Sequence, residues 1–173
     1  KKTQLEHILL RPDTYIGATQ DTKEKLRIFN DDDNNIITKE INYNPGLYKI
    51  FDEVIVNAAD ATQTDSKTNN IWVEINDGII SVANDGIGIP ILLHPKEKCY
   101  VPELIFGHFL TGTNFDDTKK RTTGGRNGFG AKLTNAYSKE FIVEINDSKN
   151  NKYFKQVFKN NMNEKSEPII EDK

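Results

Sequence analysis

The chain is predicted to fold as an α+β protein, with strands paired through hairpins and helices set between the pairs. Three observations carry this. Apolar runs come in couples joined by short turn-forming stretches. Helical periodicity fills the intervals between the couples. No regular strand–helix–strand alternation of the parallel, doubly wound kind runs through the chain.

Taken in order, Leu26–Phe29 and Ile36–Ile41 flank an Asp/Asn cluster, Asp31 to Asn35, and read as the first hairpin. Gly46 to Asp60 reads as a helix entered through Asn44-Pro45, with Leu47, Ile50, Phe51, Val54, Ile55 and Ala58 on one face. Ile71–Asn76 alternates apolar and polar residues, Asp77-Gly78 makes a turn, and Ile79–Ala83 returns. Val101 to Leu110 is a second expected helix, opened by Pro102-Glu103. Residues 111–130 form a Gly/Thr/Lys-rich loop too long for a plain connection, which suggests a lid. Ala131–Ser138 is a third helix, and Phe141–Ile145 with Tyr153–Phe158 makes a last hairpin around residues 147–151.

Length and composition bound the function. A chain of 173 residues supports one domain with a fair core. Its formal charge of −3, from 23 basic and 26 acidic side chains, leaves no basic footprint for nucleic acid. The one cysteine, Cys99, excludes an internal disulfide and fits a reducing compartment. No apolar run approaches the ~20 residues that cross a bilayer, so no membrane partner is expected. His7, His94 and His108 lack metal-ligand spacing, and no zinc site is expected. The chain has no initiator methionine and a polar end, and is read as a piece of something longer.

The densest chemistry lies in Gly124-Gly125-Arg126-Asn127-Gly128-Phe129-Gly130-Ala131-Lys132. Four glycines, an arginine and a lysine stand within nine residues, directly before a helix. Glycines let several N–H groups face one concave side, and a helix start adds partial positive charge, so such a loop suits phosphate. It is not a P-loop, because Ala131 separates Gly130 from Lys132. On the first long helix, Glu53, Asn57 and Asp60 are spaced i, i+4, i+7 and share one stripe. Glu53 can polarise a water and Asn57 can offer an amide oxygen to a hard cation, although a solvated polar face has the same pattern. Asn84-Asp85-Gly86-Ile87-Gly88-Ile89-Pro90 follows a strand, a side-chain acceptor with two glycines that permit close approach of a flat ligand. Thr111-Gly112-Thr113-Asn114 offers small hydroxyl and amide groups for ribose or phosphate, or simply for turns. Lys119-Lys120-Arg121 reads as a solvated basic tip.

In this order and spacing the motifs resemble the GHKL ATPases, whose Bergerat-type fold uses a Glu-x-x-x-Asn helix, a DxGxG loop and a glycine-rich lid. Gln4 to Gly17 (QLEHILLRPDTYIG), Gly46 to Glu53 (GLYKIFDE) and Thr123 to Lys132 (TGGRNGFGAK) are more specifically similar to the ATPase domain of eukaryotic-type DNA topoisomerases II. The resemblance implies a two-layer α/β sandwich with a mixed, mostly antiparallel sheet and helices on one face. It implies that residues 1–173 are an N-terminal ATPase domain fragment lacking the transducer and cleavage domains. ATP and Mg²⁺ are the implied cofactors. Glu53 matches the general base and Asn57 the magnesium ligand. Asn84 matches the adenine contact, with Gly86 and Gly88 beside the base. Gly112, Thr113 and Asn114 match the ribose and phosphate triplet. Gly125, Arg126, Asn127, Gly128, Phe129, Gly130, Ala131 and Lys132 match the phosphate loop.

The family pattern has Asp where Asn84 stands, although its eukaryotic topoisomerase members share the Asn. An Asn amide can flip, so looser base choice than with Asp is expected. The implied activity is ATP-driven dimerisation of the gate of a type IIA topoisomerase that passes one DNA duplex through another. Its implied location is the nucleus. DNA and a second subunit would be partners of the full-length enzyme, and the isolated piece is expected to be monomeric and nearly inactive. Other GHKL enzymes of the chaperone or mismatch-repair type, and a nucleotide-sensing scaffold that does not hydrolyse, are the alternatives.

Overall fold

The computed structural model describes residues 2–109 and 129–173. Two short helices that periodicity did not announce come first, α1 (Gln4–Leu10) and α2 (Pro12–Tyr15). Their signal is a capping box: Glu6 N–H donates to Thr3 Oγ1 at 3.2 Å and Thr3 N–H donates to Glu6 Oε2 at 2.7 Å. The first hairpin is longer than expected, β1 (Thr22–Asn30) against β2 (Asn35–Tyr43), with Leu26 opposite Lys39.

Helix α3 (Pro45–Thr64) starts where Asn44 and Pro45 direct it. Asn44 Oδ1 accepts from Leu47 N–H at 3.0 Å, while its Nδ2 donates to Thr19 O at 2.6 Å, so the cap also fastens the preceding loop. The helix runs four residues past the expected Asp60, and Asp65 caps its end. Next come β3 (Ile71–Asn76) and β4 (Ile79–Asn84), an antiparallel ribbon with Val73 opposite Val82 and Ile75 opposite Ile80. Alternation was read for Ile71–Asn76, yet Ile75, and Ile79 on the partner strand, are each 66% exposed.

Helix α4 (Val101–Gly107) stops before the expected Leu110, because His108 turns extended. A β-carbon on Gly107 would lie 2.8 Å from the Phe158 ring, so a glycine lets the helix end sit on that strand. Helix α5 (Gly130–Ala136) precedes β5 (Glu140–Asp147) and β6 (Lys152–Lys159), the expected last hairpin. Two further strands, β7 (Glu164–Lys165) and β8 (Ile169–Asp172), add to β6 and complete a four-stranded sheet. They lie in the stretch that looked like a polar tail, too short and charged for a period to show.

Every strand pair among the described residues is antiparallel. The helices form a layer in which α3 packs on α5 and β4, and α4 packs on α5 and β6. One core joins Ile91, Val143, Ile145, Phe154 and Phe158; the other joins Ile8, Ile16, Leu133 and Ala136, with Met162 touching both. Among the described residues, no helix is long and apolar enough to cross a membrane.

Candidate functional site

Glu53 and Asn57 stand one turn apart on α3, where the helix emerges from the second core. The Glu53 side chain is largely covered, and its Oε1 lies 2.6 Å from Lys49 Nζ, one turn earlier. The hydrogen bond to Glu53 is the main reason the Lys49 ammonium is held above its ordinary pKa. Sequence reading missed Lys49, although its i, i+4 spacing to Glu53 was a usable sign. Asn57 is exposed. Gly130, which opens α5, faces both residues: a β-carbon there would lie 3.5 Å from Glu53 Oε2 and 3.5 Å from Asn57 Nδ2. The end of the glycine-rich stretch and the carboxylate–amide stripe are therefore neighbours. Thr134 Oγ1, donating to Ile50 O at 2.7 Å, locks α5 to α3 in this relation.

Phe129 enters the second core, its ring 5.7 Å from Tyr15 and 5.9 Å from Phe109. The Tyr15 hydroxyl is 2.9 Å from His7 Nδ1, so the N-terminal helices support the start of α5. Ala131 is buried in the same helix. Lys132 is only 4% exposed, and loss of water lowers its ammonium pKa to about 8. Gly112, Thr113 and Asn114, the residues Gly125 to Gly128, and nearly all of the expected lid lie outside the described residues.

The loop after β4 is held by two carboxylates. Asp85 Oδ1 accepts from Asn69 N–H at 2.7 Å and Asn70 N–H at 2.9 Å, and its Oδ2 accepts from Asn70 Nδ2 at 2.8 Å. Asp65, the cap of α3, accepts from Ile87 N–H at 2.7 Å. Donated hydrogen bonds, from Asn70 and from Ile87 respectively, hold both carboxyls below their usual range. Gly86 (φ +122°) and Gly88 (φ +80°) are required here by their backbone angles and by the protein packed against them. A β-carbon on Gly86 would meet Thr68 Oγ1 and Asp65 Oδ2, and one on Gly88 would meet the Asn146 carbonyl. The Asn84 amide is not free to flip either. Its Nδ2 donates to Asp85 O at 2.8 Å, which leaves Oδ1 of this exposed residue as the remaining acceptor.

A third grouping was not expected. Cys99, Glu103 and His108 place their ligating atoms within 4.8 Å of one another, because α4 and its flanking residues fold a spacing of four and five residues onto one side.

A carboxylate and an amide next to a glycine helix start, with a further amide acceptor after β4, are chemically suited to a phosphorylated ligand with its cation. Residues 42–158 match the family described as histidine kinase-, DNA gyrase B- and HSP90-like ATPases.

The chain belongs to that ATPase family.

Within it, Arabidopsis thaliana DNA topoisomerase 2 is 54% identical over 98% of this chain and 12% of its own length. The chain thus spans about an eighth of that relative. Among solved structures, the ATPase and transducer domains of Balamuthia mandrillaris DNA topoisomerase II superpose with a TM-score of 0.94. That match is 49% identical and covers 99% of this chain and 44% of that one. The ATPase region of Saccharomyces cerevisiae topoisomerase II also gives 0.94, at 47% identity, covering 99% of this chain and 46% of that one. The α+β ATPase fold holds, and the resemblance to eukaryotic topoisomerase II ATPase domains extends over 99% of the chain.

Proposed function

We propose that this family member is the nucleotide gate of a type IIA DNA topoisomerase, in which ATP binding brings two copies together around a DNA duplex and hydrolysis resets them. The observation that carries the reading is Gly130 lying against Glu53 and Asn57, in a chain half identical to topoisomerases along its length. ATP supplies the γ-phosphoryl group and Mg²⁺ neutralises phosphate charge when they are bound.

The chain's own residues do the rest. Glu53 accepts the proton of an attacking water at its carboxylate, released from Lys49. Asn57 offers its amide oxygen to the cation, and its exposure leaves it accessible. Asn84 Oδ1 accepts from the adenine amino group, while its Nδ2 is occupied by the Asp85 carbonyl. Lys132 answers phosphate charge from the first turn of α5. Gly112 to Asn114 and Gly125 to Gly128 complete the ribose and phosphate contacts. DNA and the second subunit engage the longer protein, in the nucleus. In that protein a transducer lysine reaches the γ-phosphate, so the 173-residue chain alone turns over slowly.

The test is Glu53→Gln, assayed where the parent protein hydrolyses ATP. Turnover should fall roughly 10²–10⁴-fold while nucleotide affinity holds, since only a proton acceptor is removed. Unchanged turnover would favour a nucleotide-sensing scaffold, in which Glu53 merely pairs with Lys49.

A further inference from the structure

Away from the α3 stripe, the described residues contain an open cavity of about 350 Å³ whose wall includes Cys99, Glu103, His108, Gln156 and Lys165. We propose that Cys99, Glu103 and His108 form a binding site for a zinc-class divalent cation, which exchanges with the Lys165 ammonium.

The donors are a thiol, a carboxylate and an imidazole, the set that zinc takes and magnesium does not. Their atoms lie within 4.8 Å of one another. Bond lengths of about 2.0–2.3 Å to a tetrahedral ion set donors roughly 3.3–3.7 Å apart. The site therefore needs a contraction of about 1 Å. Glu103 is the fixed member, only 6% exposed and bonded by Gln156 Nε2 at 3.2 Å. Cys99 is placed by backbone: His94 N–H donates to Cys99 O at 2.8 Å, and Leu93 bridges Tyr100. The His108 side chain is 36% exposed, which leaves its ring room to close on the others.

Charge favours exchange rather than simple addition. Lys165 Nζ is 2.5 Å from Glu103 Oε1 and already neutralises the carboxylate. Its side chain is 52% exposed, so it can swing into water without burying its charge. A dication with one thiolate and one carboxylate is neutral, and the Cys99 proton leaves to solvent as the ion enters. A second observation points the same way. Gln156 is 1% exposed, and its Oε1 has no hydrogen-bond donor among the described residues. Gln156 lines the same cavity and its Nε2 donates to Glu103 Oε2 at 3.2 Å, so a water carried by the bound ion would bring a donor to the side chain that lacks one. The bound ion would cross-link the 94–99 turn to both ends of α4.

Cobalt(II) titration of the 173-residue chain tests this directly. Expected are a thiolate-to-cobalt charge-transfer band and tetrahedral visible bands, saturating at one ion per chain and lost on adding one equivalent of zinc. Cys99→Ser should abolish the charge-transfer band, and it and His108→Gln should each weaken zinc binding at least about tenfold. Lys165→Gln, which removes the competing cation, should tighten binding. No charge-transfer band on the unmodified chain would overturn the proposal without recourse to any variant. So would zinc affinity indifferent to Cys99→Ser in a variant whose circular dichroism matches the parent.

Discussion

Lys49 Nζ lies 2.6 Å from Glu53 Oε1, four residues away on α3, and this ion pair sits on the carboxylate assigned to proton transfer. A partly exposed i, i+4 pair is worth only about 0.3–0.5 kcal/mol, so Glu53 can leave it at small cost. Lys49→Ala is therefore expected to change ATP turnover by less than about tenfold, far less than Glu53→Gln. Steady-state phosphate release on both variants checks this, and equal losses would make Lys49 part of the chemistry.

Asn84 was expected to loosen base choice, because a free amide can present either end. Its Nδ2 bond to Asp85 O removes that freedom, since a flipped amide would set two oxygens against each other. Asn84→Asp is thus expected to leave the ATP-to-GTP preference near its original value, with weaker binding of both. Competition binding decides, and a selective loss of GTP binding, which raises the preference for ATP, would return the flexible amide.

Lys132 gives the fold a pH dependence of definite sign. Its folded pKa of about 8 lies below the ordinary lysine value because burial disfavours the ammonium. Between that value and the ordinary one the unfolded chain holds more protons, so stability rises with pH across the window and is flat below it. Urea midpoints at pH 7.5 and 9.5 should show an increase that Lys132→Met lacks. Nucleotide affinity should move oppositely, falling above pH 8 as the charge is lost, and a parallel rise would remove Lys132 from the phosphate site.

Asp147 is 2% exposed, and its Oδ2 accepts from Ile91 N–H at 2.8 Å and Asn150 Nδ2 at 2.6 Å. Burial alone would raise its pKa, yet these bonds hold it below the ordinary range. Its contribution is present above the unfolded carboxylate pKa and is lost as pH falls through the folded one. Asp147→Ala should cost about 2–4 kcal/mol by stranding donors, one of them buried. Chemical denaturation measures it, and a loss below 1 kcal/mol would mean that water replaces the carboxylate.

The hairpins and α3 were legible because alternation, Asp/Asn turns and the Asn44-Pro45 entry all act locally. Strands β7 and β8 were not, since Glu164 and Lys165 find their place only through β6. Glu53 and Asn57 were legible as a stripe, but their meeting with Gly130 is tertiary and no period encodes it. Gly86 and Gly88 were noticed for close approach, and close approach is what the structure shows on the side a β-carbon would occupy. What approaches is the Asp65–Thr68 turn and the Asn146 carbonyl. Cys99 and His108 were read singly, and their grouping with Glu103 was not legible because the unequal spacing matches no single helical face.

The central claim is that α3, the Asn84 loop and the start of α5 form one nucleotide site. Titrating the isotope-labelled 173-residue chain with a non-hydrolysable ATP analogue, with and without Mg²⁺, measures this by amide and side-chain NMR shifts. The account expects shifts that saturate together at Asn57, Asn84, Gly130 and Lys132, with the Asn57 side chain responding only when Mg²⁺ is present. Saturable shifts elsewhere that leave these four residues unmoved would contradict it.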